Sequence, residues 1–152
     1  MTQVLEFDAL VVGAGFGGIY QLYRLRELGL NVVVIDAAGD VGGTWYWNRY
    51  PGAMSDTESY IYRYSWDKED LLKYHWKEHY VKQPEVLAYL EHVADRYDLK
   101  KHMHFNTELK DARWDDTTHR WVIQTSTGNE YRVRYLVTAG KITSQAWYPL
   151  SF

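Results

Sequence analysis

The N-terminal part of the chain alternates between continuous apolar runs and apolar positions at helical spacing. Residues 9–12 are an uninterrupted apolar run, which is typical of a strand buried on both faces. Apolar residues then recur at the spacing of one helix face, at Ile19, Leu22, Leu25 and Leu28. Gly29 is a natural helix end, and the β-branched run at residues 31–35 predicts a second buried strand. The pattern therefore predicts a strand, a helix and a second, parallel strand.

The middle of the chain carries one weak helix signal and one clear one. Asp67, with Asp70 three residues later, is typical of a helix start. His75 and His79 are four residues apart, but no third ligand accompanies them, so we interpret them as surface or packing histidines and predict no metal site. Pro84 opens a longer helix whose apolar residues have helical spacing: Val86, Leu90, Val93, Ala94 and Tyr97. We expect this helix to cover a sheet.

The pattern changes to short strands after this helix. Residues 103–105 predict a short strand. Alternating apolar and polar positions then form three segments with turn residues between them, at 109–114, 121–127 and 130–135. These segments predict a three-stranded antiparallel meander at about residues 107–134. The expected fold class is therefore α/β, with a parallel sheet, covering helices and an inserted meander.

Composition and charge exclude several classes of protein. The chain has 152 residues, enough for one domain with a sizeable core, and its net charge of -3 does not favour nucleic acid or an anionic membrane as a partner. It has no cysteine, which excludes disulfides and thiol catalysis. Glu6 and Asp8 interrupt the apolar region that a signal peptide needs, and no apolar run is long enough to span a membrane. We therefore expect a cytoplasmic protein.

A glycine motif lies between the first strand and the first helix. Gly13, Gly15 and Gly18 have the spacing of the dinucleotide fingerprint, in the context that this fingerprint requires. Gly13 permits the tight turn, Gly15 lets a pyrophosphate approach the backbone, and Gly18 lets the helix pack close to the strand. The first N–H groups of the helix then face the phosphates. The motif predicts a phosphate-binding turn.

Two further features refine the expected ligand. Asp36 ends the second strand, where an acid accepts hydrogen bonds from both hydroxyls of an adenosine ribose and repels a 2′-phosphate. A second glycine pair, Gly42-Gly43, follows shortly afterwards. This pair suits a flavin dinucleotide, whose extended pyrophosphate can be covered by a second backbone segment. The features together favour FAD or NAD over NADP, and FAD over NAD.

The sequence resembles the N-terminal part of the Baeyer–Villiger monooxygenases, the class B flavoprotein monooxygenases. The resemblance rests on the glycine motif, on the string GGTWYWNRYPG at residues 42–52 and on Asp56-x-Glu58-Ser59. The sequence is especially similar to the cyclohexanone- and phenylacetone-oxidising branches of this family. It continues through Gln83-Pro84-Glu85 and residues 96–99 to Gly140.

The resemblance implies a glutathione-reductase-like FAD-binding domain at residues 1–140, in which residues 135–139 return to the parallel sheet beside Gly13. Leu109 corresponds to the backbone position that reads the adenine edge, and Asp56 matches a catalytic aspartate near the flavin. The implied FAD contacts are Gly13, Gly15, Gly17, Gly18, Asp36, Gly42, Gly43, Thr44, Trp45, Trp47, Tyr50, Asp56, Tyr62 and Leu109.

Complete family members oxygenate ketones with NADPH and O2. They continue with a second glycine fingerprint for NADPH and with a catalytic arginine, and neither element occurs in these 152 residues. We therefore expect the chain not to oxygenate by itself, unless a second half or self-association completes it. Residues 141–152 depart from the family pattern; a truncation, a frameshifted end and a cap on an open sheet edge remain alternatives.

Two other functions remain open. The first is a stand-alone flavin- or dinucleotide-binding module without oxygenase activity. The second is the NAD-binding domain of a dehydrogenase or regulator, against which Gly42-Gly43 and the aromatic string argue. Flavin absorbance of the purified protein separates the two flavin-binding hypotheses from the last one.

Overall fold

The computed structural model describes residues 3–140, so the predicted tail at residues 141–152 lies outside the described residues. The N-terminal unit has the predicted form: β1 (Val4–Val12), α1 (Phe16–Glu27) and β2 (Val32–Ile35). The two strands are parallel, with Ala9 opposite Val32 and Val12 opposite Ile35. The paired residues 9–12 of β1 and 32–35 of β2 are all apolar because the sheet is covered on both faces in this region.

The middle segment contains two short helices and one long helix. These are α2 (Thr44–Trp47), α3 (Lys68–Lys73) and α4 (Gln83–Arg96), followed by a 3-10 turn at Lys100–His102 and by β3 (Met103–His104). Asp67 caps α3 by accepting a 3.0 Å hydrogen bond from the Asp70 backbone N–H, which confirms the predicted helix start. The predicted long helix is α4, with proline in its first turn.

The C-terminal strands correct one prediction. They are β4 (Leu109–Asp115), β5 (Arg120–Thr125) and β6 (Glu130–Thr138), and the sheet order is β3-β2-β1-β6-β5-β4. The third meander strand and the return strand, predicted as separate, are the single strand β6. This strand pairs in parallel with β1 from Val4–Glu130 to Val12–Thr138, while its first residues pair with β5 in antiparallel register. The meander is therefore an extension of the parallel sheet.

Alternate residues of β1 and β2 supply two separate hydrophobic cores. Ala9 and Val11 face the helices and pack with residues of α1 and α4, including Ile19, Leu22, Val86 and Leu90. Leu10 faces the other side and packs with the meander residues Ile123, Tyr131 and Val133. The helices and the meander therefore cover opposite faces of the central strands, which leaves the carboxyl ends of β1 and β2 for a ligand.

The two histidines singled out in the sequence do not share a helix. His75 and His79 follow the end of α3 and are exposed, as a surface interpretation predicts. His79 Nε2 lies 2.8 Å from Glu58 Oε1. Across residues 3–140 no group of three His, Asp or Glu side chains is arranged to hold a metal ion. Within the same residues, no helix has the length and apolar character needed to cross a membrane.

Candidate dinucleotide-binding site

The first glycine turn is shaped by close backbone contacts. Gly13 has a φ of 103°, and a Cβ there would lie 3.0 Å from the Ala139 carbonyl oxygen at the end of β6. A Cβ on Gly18 would lie 1.7 Å from the Gly13 carbonyl oxygen, which no side chain can occupy. Gly18 is buried behind the turn, so it packs the helix against the strand without lining the cavity described below.

The second glycine pair lies directly against the first turn. The Gly42 N–H donates a 2.9 Å hydrogen bond to the Ala14 carbonyl oxygen. A Cβ on Gly43 would lie only 2.8 Å from the Gly15 Cα. Gly43 has a φ of 53°, so the lack of a side chain serves both its backbone conformation and this close approach. The two glycine segments therefore form one backbone surface.

A cavity of about 870 Å³ opens onto this surface, at the carboxyl ends of β1, β2 and β6. Its size lies in the upper part of the range of small-molecule sites, roughly 300–1,000 Å³. Most of the predicted cofactor residues line it: Gly13, Gly15, Gly17, Asp36, Gly42, Gly43, Thr44, Trp45, Trp47, Tyr62 and Leu109. Three predicted residues do not line it: Gly18, Tyr50 and Asp56.

Several lining residues were missed in the sequence. They are Val12, Phe16, Ile35, Ala37, Asn48, Thr107, Glu108, Ala139 and Gly140. Ala139 and Gly140 follow β6, and the rule that ligands bind at the carboxyl ends of parallel strands predicts them once β6 is placed beside β1. Thr107 donates its backbone N–H to the Asp36 carbonyl oxygen at 2.8 Å, a long-range contact that no local pattern signals.

Asp36 is held by two backbone donors. Its Oδ2 accepts the Ala14 N–H at 2.5 Å, and its Oδ1 accepts the Ala38 N–H at 2.7 Å. Each carboxylate oxygen has two lone pairs, so both oxygens can still accept a hydroxyl. The carboxylate is therefore oriented in advance for a vicinal diol and places a negative charge where a 2′-phosphate would have to sit.

Aromatic side chains form another part of the cavity wall. Trp45 Nε1 donates to the Tyr62 hydroxyl at 3.1 Å, and the Phe16 and Tyr62 ring centroids are 4.8 Å apart. The Gln83 side chain of α4 donates to the Trp45 carbonyl oxygen at 2.5 Å. Trp47 lines the cavity but is 63% exposed, so the cavity is open to solvent on its side. This wall suits a planar ring system.

Tyr50 and Asp56 lie on an exposed stretch outside the cavity wall. Tyr50 is 63% exposed. Asp56 is exposed as well, and its Oδ1 accepts a 3.4 Å hydrogen bond from the neighbouring Thr57 hydroxyl. The backbone around Asp56 is fixed, because the Ser55 N–H donates to the Val81 carbonyl oxygen at 2.9 Å. The flavin and catalytic roles expected of these two residues stay predictions.

The start of α1 supplies donors for an anion. Its N-cap is Gly15, and no side chain caps the helix. The first N–H groups of the helix therefore have no side-chain partner and carry the positive end of the helix dipole. With the oriented carboxylate of Asp36 and the aromatic wall, the cavity has the parts needed for a phosphate group, a ribose and a planar ring.

The fold and this cavity define a Rossmann-type dinucleotide-binding domain. In agreement, residues 11–75 match the family model described as an NAD(P)-binding Rossmann-like domain. The chain matches the N-terminal region of Baeyer–Villiger flavin monooxygenases. It is 54% identical over 134 residues to a Baeyer–Villiger monooxygenase of Pseudooceanicola batsensis, covering 88% of this chain and 25% of that relative.

Two further relatives show the breadth of the likeness. A phenazine N-monooxygenase of Lysobacter antibioticus is 51% identical over 145 residues, covering 95% of this chain and 27% of that relative. The closed crystal structure of cyclohexanone monooxygenase superposes with a TM-score of 0.92 at 49% identity, covering 98% of this chain and 28% of that one. The chain thus spans about a quarter of the length of the curated relatives it matches.

Proposed function

We propose that residues 1–140 are the FAD-binding domain of a Baeyer–Villiger-type flavin monooxygenase. The contact between Gly15 and Gly43 supports this proposal most directly, since a Cβ on either glycine would lie 3.3 Å or less from the Cα of the other. Two side-chain-free segments against one cavity allow close approach from two sides. That arrangement suits the extended pyrophosphate of FAD.

The residues present fit FAD along its length. Asp36 receives the adenosine ribose, and the backbone near Leu109 receives the adenine edge. The first-turn N–H groups of α1, with Gly13, Gly17, Gly42 and Thr44 around them, receive the pyrophosphate. Trp45, Trp47 and Tyr62 flank the flavin end. Gly18 supports this site from behind, by letting α1 pack on β1.

FAD, when bound, supplies the hydride-accepting and oxygen-activating chemistry of such an enzyme. The residues of this chain bind and orient it. NADPH and the ketone would be handled by parts corresponding to the other three quarters of the relatives. Asp56 is proposed as the catalytic aspartate, which acts only when such parts bring an arginine close to it; Tyr50 would face the same side.

The substrate is not set by this domain. One relative is called a Baeyer–Villiger monooxygenase and another a phenazine N-monooxygenase, yet both are more than half identical to this chain over the matched region. A stand-alone flavin- or dinucleotide-binding module remains the second candidate, and an open cavity beside the exposed Trp47 is compatible with it. We also propose a cytoplasmic location, because Glu6 and Asp8 interrupt the apolar region that a signal peptide needs.

The choice of dinucleotide tests the proposal. We expect FAD to bind more tightly than NAD+, and NADP+ to bind weakest, because the Asp36 carboxylate opposes a 2′-phosphate. Calorimetric titration of the 152-residue chain with FAD, NAD+ and NADP+ measures the order of the three affinities. Flavin absorbance of the purified protein would show directly that it binds flavin. Tightest binding of NADP+ would contradict the proposal, while equal binding of NAD+ and FAD would favour the dehydrogenase alternative.

A further inference from the structure

Successive side chains at residues 62–66 face two different parts of the molecule. Tyr62 and Tyr64 pack on Phe16 in the first turn of α1, with ring centroids 4.8 Å and 5.1 Å from the Phe16 centroid. Arg63, between them, lies against a different group of rings, of which Tyr89 is also 6.3 Å from Phe16. Its guanidinium carbon is 5.8 Å to 5.9 Å from the ring centroids of Tyr74, Trp76 and Tyr89. The segment therefore connects the cavity to a second cluster of residues.

Arg63 is buried deeply and paired incompletely. Its side chain is 6% exposed, its Nη2 donates to the Asp70 carbonyl oxygen at 2.9 Å, and the same nitrogen is 3.6 Å from Asp70 Oδ2. Its Nε is buried without a hydrogen-bond partner in the described residues. An unpaired buried donor is unfavourable, but the Asp70 carboxylate, the backbone carbonyl oxygens of Asp70 and Tyr74 and the three surrounding rings all favour a cation at this position. These groups therefore hold the guanidinium in one place.

The acid that holds Arg63 is itself fixed from two directions. Asp70 Oδ1 is 2.6 Å from His92 Nε2 on α4. The Asp70 backbone N–H donates a hydrogen bond to the side chain of Asp67, the N-cap of α3. Arg63 is consequently anchored to α3 directly and to α4 through Asp70 and His92. Such an anchor fixes the backbone of the residues on either side of Arg63.

The neighbours of Arg63 make direct contacts with the cavity wall. The Tyr62 hydroxyl accepts the Trp45 indole N–H at 3.1 Å. The Tyr64 hydroxyl donates to the Phe16 carbonyl oxygen at 2.7 Å, and burial raises the pKa of Tyr64, so this hydroxyl remains a donor. Phe16, Trp45 and Tyr62 all line the cavity. A shift of residues 62–64 would therefore move this wall.

We propose that Arg63 is a positioning residue: its anchorage to Asp70 and His92 sets the aromatic wall of Phe16, Trp45 and Tyr62 against which the flavin end of the cofactor lies. The proposal rests on the proposed binding of FAD for its functional consequence. The geometric part, from Arg63 to the hydrogen bond between Tyr62 and Trp45, holds without a ligand and is tested without one.

The ligand-free test is the indole N–H resonance of Trp45 in a 15N-correlation spectrum, assigned by its loss in Trp45→Phe. Tyr62→Phe removes the acceptor and defines the shift caused by loss of that hydrogen bond. We expect Arg63→Met to move the resonance in the same direction, by at least half as much, and Arg63→Lys to move it less. The control is Arg113→Met, since Arg113 is 81% exposed on β4. An unmoved Trp45 resonance in both Arg63 variants would overturn the proposal.

The second test is a double-mutant cycle on FAD affinity. Loss of the hydrogen bond between Tyr62 and Trp45 should raise the Kd for FAD about 3- to 10-fold. We expect this increase for Arg63→Met and for Tyr62→Phe. Because Arg63 acts through Tyr62, the double variant should bind FAD no more weakly than the single variant with the lower affinity for FAD. Multiplied effects, or an unchanged Kd in Arg63→Met, would refute the coupling. If the unaltered chain binds no FAD, the proposed function fails, and the Trp45 resonance still decides the positioning role.

Discussion

Replacement of Gly15 by valine separates ligand binding from folding. Gly15 has an extended backbone, with a φ of -86° and a ψ of -164°, which a β-branched residue adopts without strain. Its Cβ would lie 3.3 Å from the Gly43 Cα, and the further methyl groups would fill the space where the two glycine segments meet. We therefore expect Gly15→Val to fold but to keep a pyrophosphate away from the backbone.

The expected magnitudes differ strongly for the two properties. Overpacking a tight contact costs about 1–3 kcal/mol of unfolding free energy, which lowers the Tm by several degrees in a chain of this size. A pyrophosphate kept off the backbone loses at least two charge-assisted hydrogen bonds, at about 1.5–3 kcal/mol each. At about 1.4 kcal/mol per tenfold change, the Kd for FAD should rise by roughly two to four orders of magnitude.

The assay is fluorescence titration with FAD, alongside thermal unfolding of the ligand-free protein. Gly29→Ala is a matched control, because Gly29 has a φ of 80° with nothing within 4 Å of the added Cβ. It should lose about 1 kcal/mol of stability through backbone strain and keep its affinity for FAD. Wild-type affinity in Gly15→Val would refute the assignment of this turn, whereas equal losses of affinity in both variants would show that binding follows stability alone.

Three further predictions concern packing, pH and catalysis. Gly18→Ala should destabilise the fold by about 3 kcal/mol or more in urea unfolding, because its Cβ would lie 1.7 Å from the Gly13 carbonyl oxygen and the backbone would have to shift. Unchanged stability would contradict this close packing of α1 on the turn. Burial raises the pKa of Tyr89 to about 12 from 10.0, so its contribution to stability is complete below pH 10 and is lost as the pH rises towards 12. Tyr89→Phe should therefore show a shallower alkaline loss of stability, and an unchanged slope would count against this. With NADPH, O2 and cyclohexanone, we expect the 152-residue chain to form hydrogen peroxide at most. Trp47 is 63% exposed, so the flavin end of the cavity is open to water. Catalytic formation of lactone, measured by gas chromatography, would disprove this prediction.

The local elements followed from the sequence because their causes are local. The apolar runs of β1 and β2, the helical spacing of α1 and α4 and the cap at Asp67 each depend on residues within a few positions of one another. The division of residues 130–139 into two strands was wrong for the opposite reason. The alternation of apolar and polar residues at the start of β6 reflects its antiparallel pairing with β5. The parallel pairing of the whole of β6 with β1 involves residues at the other end of the chain, which local alternation does not record.

Residue type and short spacing were enough to predict a phosphate-binding turn, an acid for the ribose and a second glycine pair. The packing of α1 on β1 at Gly18 was predicted as well. Two contacts emerged from the folded chain alone: Gly43 touches Gly15, and Arg63 is buried against Asp70. Neither pair of residues is connected by a local spacing rule. They arise when the helices pack on the sheet, and no periodicity within one segment records which residues that packing brings together.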